Sequence, residues 1–252
     1  MLKQSIHVFF NALVFYTRLP APQWVEYHSE NLNRASAYFP LMGILVASLS
    51  YGAFHLAHII FPLELSILIS MAVSLLITGA FHEDGFADLC DGFGGGWSQQ
   101  DILRIMKDSR LGTYGVSGLF FILALKWASL STIDVSQLFI SLLIAHSLSR
   151  AWSISLIAVL PYVQADSQSK AKPIAQKWHV KDLLLAWFWA LLPLLFIPVT
   201  SIFCLLIIGA IAMWIIRHWF NQRLQGYTGD ALGASQQIQE IVIYLVLIAL
   251  AT

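Results

Sequence analysis

Apolar residues run in long blocks along the 252-residue chain, and polar residues gather between the blocks. A helix needs about 20 apolar residues to cross the hydrocarbon core of a bilayer. Seven blocks are candidates: Ala35–Phe61, Leu63–Phe81, Thr113–Leu130, Val135–Leu160, Leu183–Val199, Ser201–Trp219 and Ile238–Ala251. Pro62, the Ser131–Asp134 linker, and Pro198 with Thr200 and Ser201 mark tight reversals between them. The last block is short, which suits a tilted helix or one packed inside the bundle. Ile6–Phe15 is too short to span, and no small-residue cleavage site accompanies Thr17-Arg18-Leu19-Pro20, so it reads as an interfacial helix and not as a signal peptide. The pattern predicts an all-α fold: a polytopic integral membrane helical bundle of about seven transmembrane helices with a short interfacial N-terminal helix. No internal repeat or long linker divides residues 1–252, so one membrane-embedded domain is expected.

Composition supports this. Charged residues make up 11% of the chain against about 25% in a soluble domain. Hydrophobic residues make up 58%, and the mean hydropathy is +0.72. Fourteen basic and fourteen acidic residues cancel, which excludes the basic excess of a nucleic-acid binder. Two distant cysteines, Cys90 and Cys204, offer neither a disulfide framework nor a metal knuckle. With seven spans, every Lys and Arg except Lys126 and Arg150 falls on one side, which the positive-inside rule makes cytoplasmic. Most of the acidic residues lie there too, so the residues capable of chemistry crowd one surface.

The densest of these stretches is His82–Gly96. On a helix, Asp84, Asp88 and Asp91 stand at i, i+4 and i+7, within about 60° of one another, with Glu83 a quarter-turn away. Stacked like charges destabilise a helix, and a hard divalent cation such as Mg²⁺ is the simplest compensation. A solvated acidic cap is the alternative. Gly92, Gly94, Gly95 and Gly96 are expected to end the helix and to offer bare backbone N–H groups to a phosphate. Ser98-Gln99-Gln100-Asp101 resembles a capping box with Asp in place of Glu, opening an amphipathic interfacial helix with Arg104, Lys107 and Asp108 on its polar face. Lys107 and Arg110 are placed to hold a diphosphate, with Asp108 as a further metal ligand. Within the fourth block, Arg150 lies four residues after His146; a mid-membrane arginine is costly and should pair with a carboxylate or a ligand anion. Gly226–Glu240 is the second polar stretch: Thr228 and Asp230 follow a flexible turn, and Gln236, Gln237 and Glu240 stand where the last block enters the bilayer. His55, His58 and Lys126 read as helix-packing or interface residues, and the basic stretch Lys170–Lys181 as a determinant of topology.

These segments resemble cobalamin synthase, the adenosylcobinamide-GDP ribazoletransferase family of late corrinoid assembly. The likeness rests on Phe15–Pro22, Tyr38–Gly43, the acidic motif Glu83–Gly92, the block Ile105–Gly115 and the segment Gly229–Glu240, with no departure at the acidic positions. It implies a multi-pass enzyme of the bacterial inner membrane with its active site on the cytoplasmic face. Such an enzyme joins adenosylcobinamide-GDP to α-ribazole or its 5′-phosphate, giving adenosylcobalamin or its phosphate and GMP, and requires Mg²⁺. The resemblance implies that Asp84, Asp88 and Asp91, with Glu83 and Asp108, hold Mg²⁺ against the diphosphate. Lys107 and Arg110 would stabilise the leaving GMP, and Asp230 or another carboxylate would take the proton of the attacking ribose hydroxyl. Arg150, Thr228, Glu240, Gly94 and Gly95 are the remaining candidates for contact with substrate. The bilayer is the expected surrounding, and a homo-oligomer or an assembly with other late corrinoid enzymes stays open. Two alternatives stand beside this. Asp88-Leu89-Cys90-Asp91-Gly92 resembles the start of the CDP-alcohol phosphotransferase signature, but the rest of that signature is absent. A cation or corrinoid transporter would place its ionisable residues at the bilayer midplane, where only Arg150 is expected.

Overall fold

The computed structural model describes residues 2–25, 34–163 and 179–251. Asp166, Lys170, Lys172 and Lys177 lie outside the described residues. The described chain forms ten α-helices: α1 (Leu2–Tyr16), α2 (Phe39–His58), α3 (Leu63–Thr78), α4 (Phe81–Gly95), α5 (Gln99–Met106), α6 (Thr113–Thr132), α7 (Val135–Ser155), α8 (Val180–Leu191), α9 (Val199–Leu224) and α10 (Gly229–Ala251).

The boundaries follow from local chemistry. Pro62 and Pro198 occupy the positions just before α3 and α9, where a missing N–H costs nothing. Asp134 opens α7 by accepting the Ser136 N–H at 2.8 Å. The Ser98 hydroxyl opens α5 by accepting the Asp101 N–H at 3.1 Å, the cap expected from the sequence. The sharpest event is at Gly79 and Ala80, both left-handed at φ +67° and +56°, where the chain turns by 88° between α3 and α4. Glycine tolerates this conformation; alanine pays for it with about 1 kcal/mol of strain.

Among the described residues, five segments are long and apolar enough to cross a membrane: Ser36–His58, Thr113–Thr132, Val135–Ala158, Val199–Leu224 and Gly229–Ala251. The bent pair α3–α4 makes a sixth candidate. The expectation of seven is therefore corrected at two blocks. The second ends at Thr78, because Gly79 turns the chain before the acidic segment begins. The fifth is only the 12-residue α8, which passes at Leu192 into a 3₁₀ turn containing Pro193. The last helix, by contrast, begins at Gly229 and is 23 residues long, so it is not short.

The helices nevertheless alternate between two ends. At one end the Arg18 N–H donates to Ile77 O at 2.7 Å, Arg34 lies 3.6 Å from Asp182, and the Gln99 amide donates to Leu224 O at 2.6 Å. At the other, Asp134, Ile197, Pro198 and Leu250 line one cleft, so α8 and its 3₁₀ turn also carry the chain across. α7 and α10 form the enclosed centre, while Phe203, Ile207, Ile211 and Trp214 of α9 face outward as lipid-contacting side chains do.

Candidate active site

α4 supplies most of the acidic residues, and its packing sorts them into different roles. It crosses α10 so closely that a Cβ on Gly85 would stand 2.8 Å from Asp230 Cα and O. One turn away, Gly233 of α10 leaves room for the His82 backbone. This crossing brings Asp84 and Asp88 beside Asp230, close enough for Asp88 to feel the charges of both others and for Asp230 to feel that of Asp84. Asp84 is exposed, and Asp88 and Asp230 are half-buried. Among the described residues no Lys, Arg or His lies within 4.0 Å of these three carboxylates. Nor do any three His, Cys, Asp or Glu side chains close round a common point as a preformed metal cage would. Tyr162 stands next to this cluster: burial and the charge of Asp230 raise its phenol above the ordinary value. It is held there by a short bridge in which Val163 N donates to Tyr227 O and Tyr227 N donates to Pro161 O, each at 2.9 Å.

Asp91 does something else. It is buried, and its two oxygens accept the backbone N–H groups of Gly112 at 2.7 Å and Gly115 at 2.8 Å. These are free donors at the start of α6, whose own first residues offer no side-chain cap. A Cβ on either glycine would fall on the Asp91 carboxylate, which explains the two glycines of Leu111-Gly112-Thr113-Tyr114-Gly115. Asp91, expected among the metal carboxylates, is thus the N-terminal cap of α6. The expected phosphate cradle is also corrected. Gly92, Gly94 and Gly95 lie inside α4, where helical bonds occupy their N–H groups, and Gly96 alone ends the helix, donating to Gly92 O at 2.9 Å. These glycines serve packing: Gly92 adjoins Met106, Gly94 lies against the Tyr114 ring, and Gly96 adjoins Ile102. Arg223 of α9 closes the end of α4 by donating to Phe93 O at 3.0 Å and Gly96 O at 2.9 Å.

The 107–112 loop reaches the same end because Gly112 is tied to Asp91. Lys107 and Arg110 are exposed. The Arg110 guanidinium grips Asp108 through Nε at 3.0 Å and Nη2 at 2.6 Å, and holds that carboxyl at about 2, well below the usual carboxylate range. Asp108, an expected metal ligand, is therefore paired with Arg110, an expected phosphate ligand. Thr228 proves to be the cap of α10, its hydroxyl accepting the Ala231 N–H at 3.1 Å.

Glu83, Glu240 and Arg150 lie deeper, in a polar network that the sequence reading did not anticipate. Lys126 Nζ lies 3.1 Å from Glu240 Oε1, donates to Gln237 Oε1 at 2.9 Å and stands 3.9 Å from Glu83 Oε1. The Gln237 amide donates to Glu83 Oε1 at 2.9 Å, and the Gln236 amide to Glu240 Oε2 at 2.6 Å. His146 Nε2 lies 3.5 Å from Glu240 Oε1, and the Tyr244 hydroxyl donates to the same oxygen at 3.3 Å. Arg150 was expected to meet a carboxylate or a ligand. Instead it is buried, donates to His146 O at 2.7 Å and stacks over the Phe39 ring at 5.2 Å. Glu83 thus points into the bundle, away from Asp84 and Asp88, and Glu240 is 1% exposed, out of reach of a soluble substrate in this conformation. Lys126 and Tyr244 were missed as network members. Lys126 carried the signal: a lysine amid an apolar 20-residue helix needs a partner for the same reason as Arg150.

The chain matches the family model described as Cobalamin-5-phosphate synthase over residues 8–248. It is 44% identical to an adenosylcobinamide-GDP ribazoletransferase of Shewanella frigidimarina, over 98% of this chain and 95% of that protein. The protein of the same name from Shewanella oneidensis is 44% identical over 97% and 95%, and that from Shewanella piezotolerans 43% identical over 98% and 96%. No solved structure matches.

Proposed function

Since the chain belongs to the cobalamin-5-phosphate synthase family, we propose that it is a membrane-embedded transferase that joins adenosylcobinamide-GDP to α-ribazole or its 5′-phosphate and releases GMP. The observation that carries this reading to particular residues is the Gly85–Asp230 crossing, which gathers Asp84, Asp88 and Asp230 at the end shared with Lys107 and Arg110. The ribose hydroxyl attacks the phosphorus bonded to cobinamide, a new P–O bond forms, and the bond to the bridging oxygen breaks so that GMP departs with that oxygen. Lys107 and Arg110 hold the departing phosphate, with Arg110 exchanging Asp108 for a phosphoryl oxygen. Asp230, half-buried beside the α4 carboxylates, accepts the hydroxyl proton.

Three carboxylates without a described counter-cation form a hard, all-oxygen donor set, which fits Mg²⁺. Their open arrangement fits as well, because Mg²⁺ commonly keeps several waters and binds through one or two carboxylates and the substrate phosphates. Asp84 and Asp88, with Asp230 adjacent, would hold it. When bound, the ion neutralises charge that develops on the diphosphate. The concentration of Lys and Arg at this end supports a cytoplasmic position, with the protein in the inner membrane of a bacterium. The transporter alternative gains nothing from Lys126, Glu83 and Glu240, which are engaged with one another and with Gln236 and Gln237.

The test is direct. Purified protein in lipid nanodiscs, given adenosylcobinamide-GDP, α-ribazole and Mg²⁺, should release GMP and a cobalamin product, and EDTA should stop the release reversibly. Wild type without product, or full turnover in Asp84→Asn and Asp88→Asn, overturns the reading.

A further inference from the structure

α4 enters from an 88° bend, and at its C-terminal end Arg223 of α9 holds Phe93 O and Gly96 O. Its rotation is set by the crossing with α10 at Gly85 and by two polar attachments, one to α6 and one shared by Lys126 of α6 and Gln237 of α10. Near its C-terminal end Asp91 holds the Gly112 and Gly115 amides. Near its N-terminal end Glu83 Oε1 is approached by Lys126 Nζ at 3.9 Å and by the Gln237 amide at 2.9 Å. Gln237, which belongs to α10 and also donates to Gln236 Oε1 at 2.9 Å, accepts from Lys126 at 2.9 Å, so Lys126 supports Glu83 both directly and through Gln237. Glu83 Oε2 has no hydrogen-bond partner, so the other oxygen carries the whole attachment. At about 100° per residue, a Glu83 turned inward leaves Asp84 and Asp88 on the outer face, toward Asp230.

The charges make the arrangement depend on Lys126. The Lys126 side chain is 9% exposed, and those of Glu83 and Glu240 are 10% and 1% exposed. Two buried carboxylates share this cation, and without it they repel each other in a medium that screens poorly. Glu83 would then keep only the Gln237 amide, whereas Glu240 keeps Gln236 and Tyr244.

We propose that Lys126 is a positioning residue for the acidic face of α4, setting through Glu83 and Gln237 the orientation in which Asp84 and Asp88 meet Asp230 and a divalent cation. This rests on the proposed function for its metal. Partners that orient metal ligands typically govern metal affinity or activity by about 10–100-fold.

The experiment compares Lys126→Met, Lys126→Arg and Glu83→Gln with wild type in nanodiscs. Three quantities are read: Mn²⁺ binding by electron paramagnetic resonance, the Mg²⁺ concentration giving half-maximal GMP release, and the unfolding temperature. Lys126→Met should weaken Mn²⁺ binding and raise the Mg²⁺ requirement by about tenfold or more. Lys126→Arg should restore most of both, and Glu83→Gln should fall between with an unfolding temperature close to wild type. If Lys126→Met does not fold, Glu83→Gln and Lys126→Arg decide. Folded variants with wild-type Mn²⁺ affinity and Mg²⁺ dependence overturn the inference, even if their unfolding temperature falls. Failure of wild type to release GMP would instead sink the function, and the Mn²⁺ measurement would still judge Lys126.

Discussion

Asp91→Ala separates a structural carboxylate from a catalytic one. The substitution removes the acceptor for two N–H groups at the start of α6, Gly112 being half-buried and Gly115 buried. A buried donor left without a partner costs about 1–3 kcal/mol, and the favourable charge at the helix N-terminus adds up to about 1 more. Water can reach the Gly112 side, so the total should be about 2–4 kcal/mol. For a chain of this size each kcal/mol moves the unfolding midpoint by about 2–4 °C, so a fall of about 5–15 °C is expected. Tryptophan fluorescence during thermal unfolding in nanodiscs reads this. Asp84→Ala is the control: it relieves repulsion within an acidic cluster and should leave the midpoint unchanged or higher while abolishing GMP release. An Asp91→Ala midpoint equal to wild type, with activity lost, would refute the capping assignment and return Asp91 to the chemistry. A large drop for Asp84→Ala would refute the division of labour along α4.

Three further outcomes follow from the same geometry. Gly85→Ala drives a methyl group into the Asp230 backbone at 2.8 Å, so α4 and α10 must separate; we expect a loss of about 1–3 kcal/mol in thermal stability and a larger loss of GMP release than Gly52→Ala, where a Cβ meets open space. Gly79→Ala forces a side chain into φ +67° and against Arg18, and should cost at least about 1 kcal/mol, read as a lower unfolding midpoint. Asp108 should stay ionised across the neutral range: its carboxyl is held at about 2 from an ordinary 3.8, so the contribution of its pairing with Arg110 is present above about pH 4 and lost as pH falls toward 2. Arg110→Gln should return that carboxyl toward its ordinary value, which carbon-detected NMR of labelled aspartate measures.

The helices themselves were largely legible, because a 20-residue apolar block has few alternatives in a bilayer. The α3–α4 bend was not, since it depends on Ala80 adopting a left-handed conformation that its side chain does not favour. The start of α10 was missed for a related reason. Residues 229–237 are polar enough to read as a surface stretch, yet Gln236 and Gln237 are buried because they meet Ser149, Glu83 and Lys126. Hydropathy registers the polarity of such side chains and not the partners that make their burial affordable. The motif around the acidic helix was visible as residue types, but its roles were not: the i, i+4, i+7 spacing puts Asp91 on the same face as Asp84 and Asp88. Only the position of α6 shows that Asp91 meets backbone amides.

The zero net charge takes on a different meaning from this arrangement. Acid and base are not distributed as one balanced surface but as three separate solutions to local problems. Asp108 and Arg110 neutralise each other in water, where such a pair contributes little and can be exchanged for a phosphate. Glu83 and Glu240 are balanced inside the bundle by Lys126 and the nearby Arg150 guanidinium, where removing any one leaves the others stranded. Asp84, Asp88 and Asp230 are gathered with no described cation, a conformation that helix packing enforces against their mutual repulsion. Packing can hold like charges together only if something gains from their proximity, and at the end of the bundle that also presents Lys107 and Arg110, a diphosphate with the proposed divalent cation would complete the set.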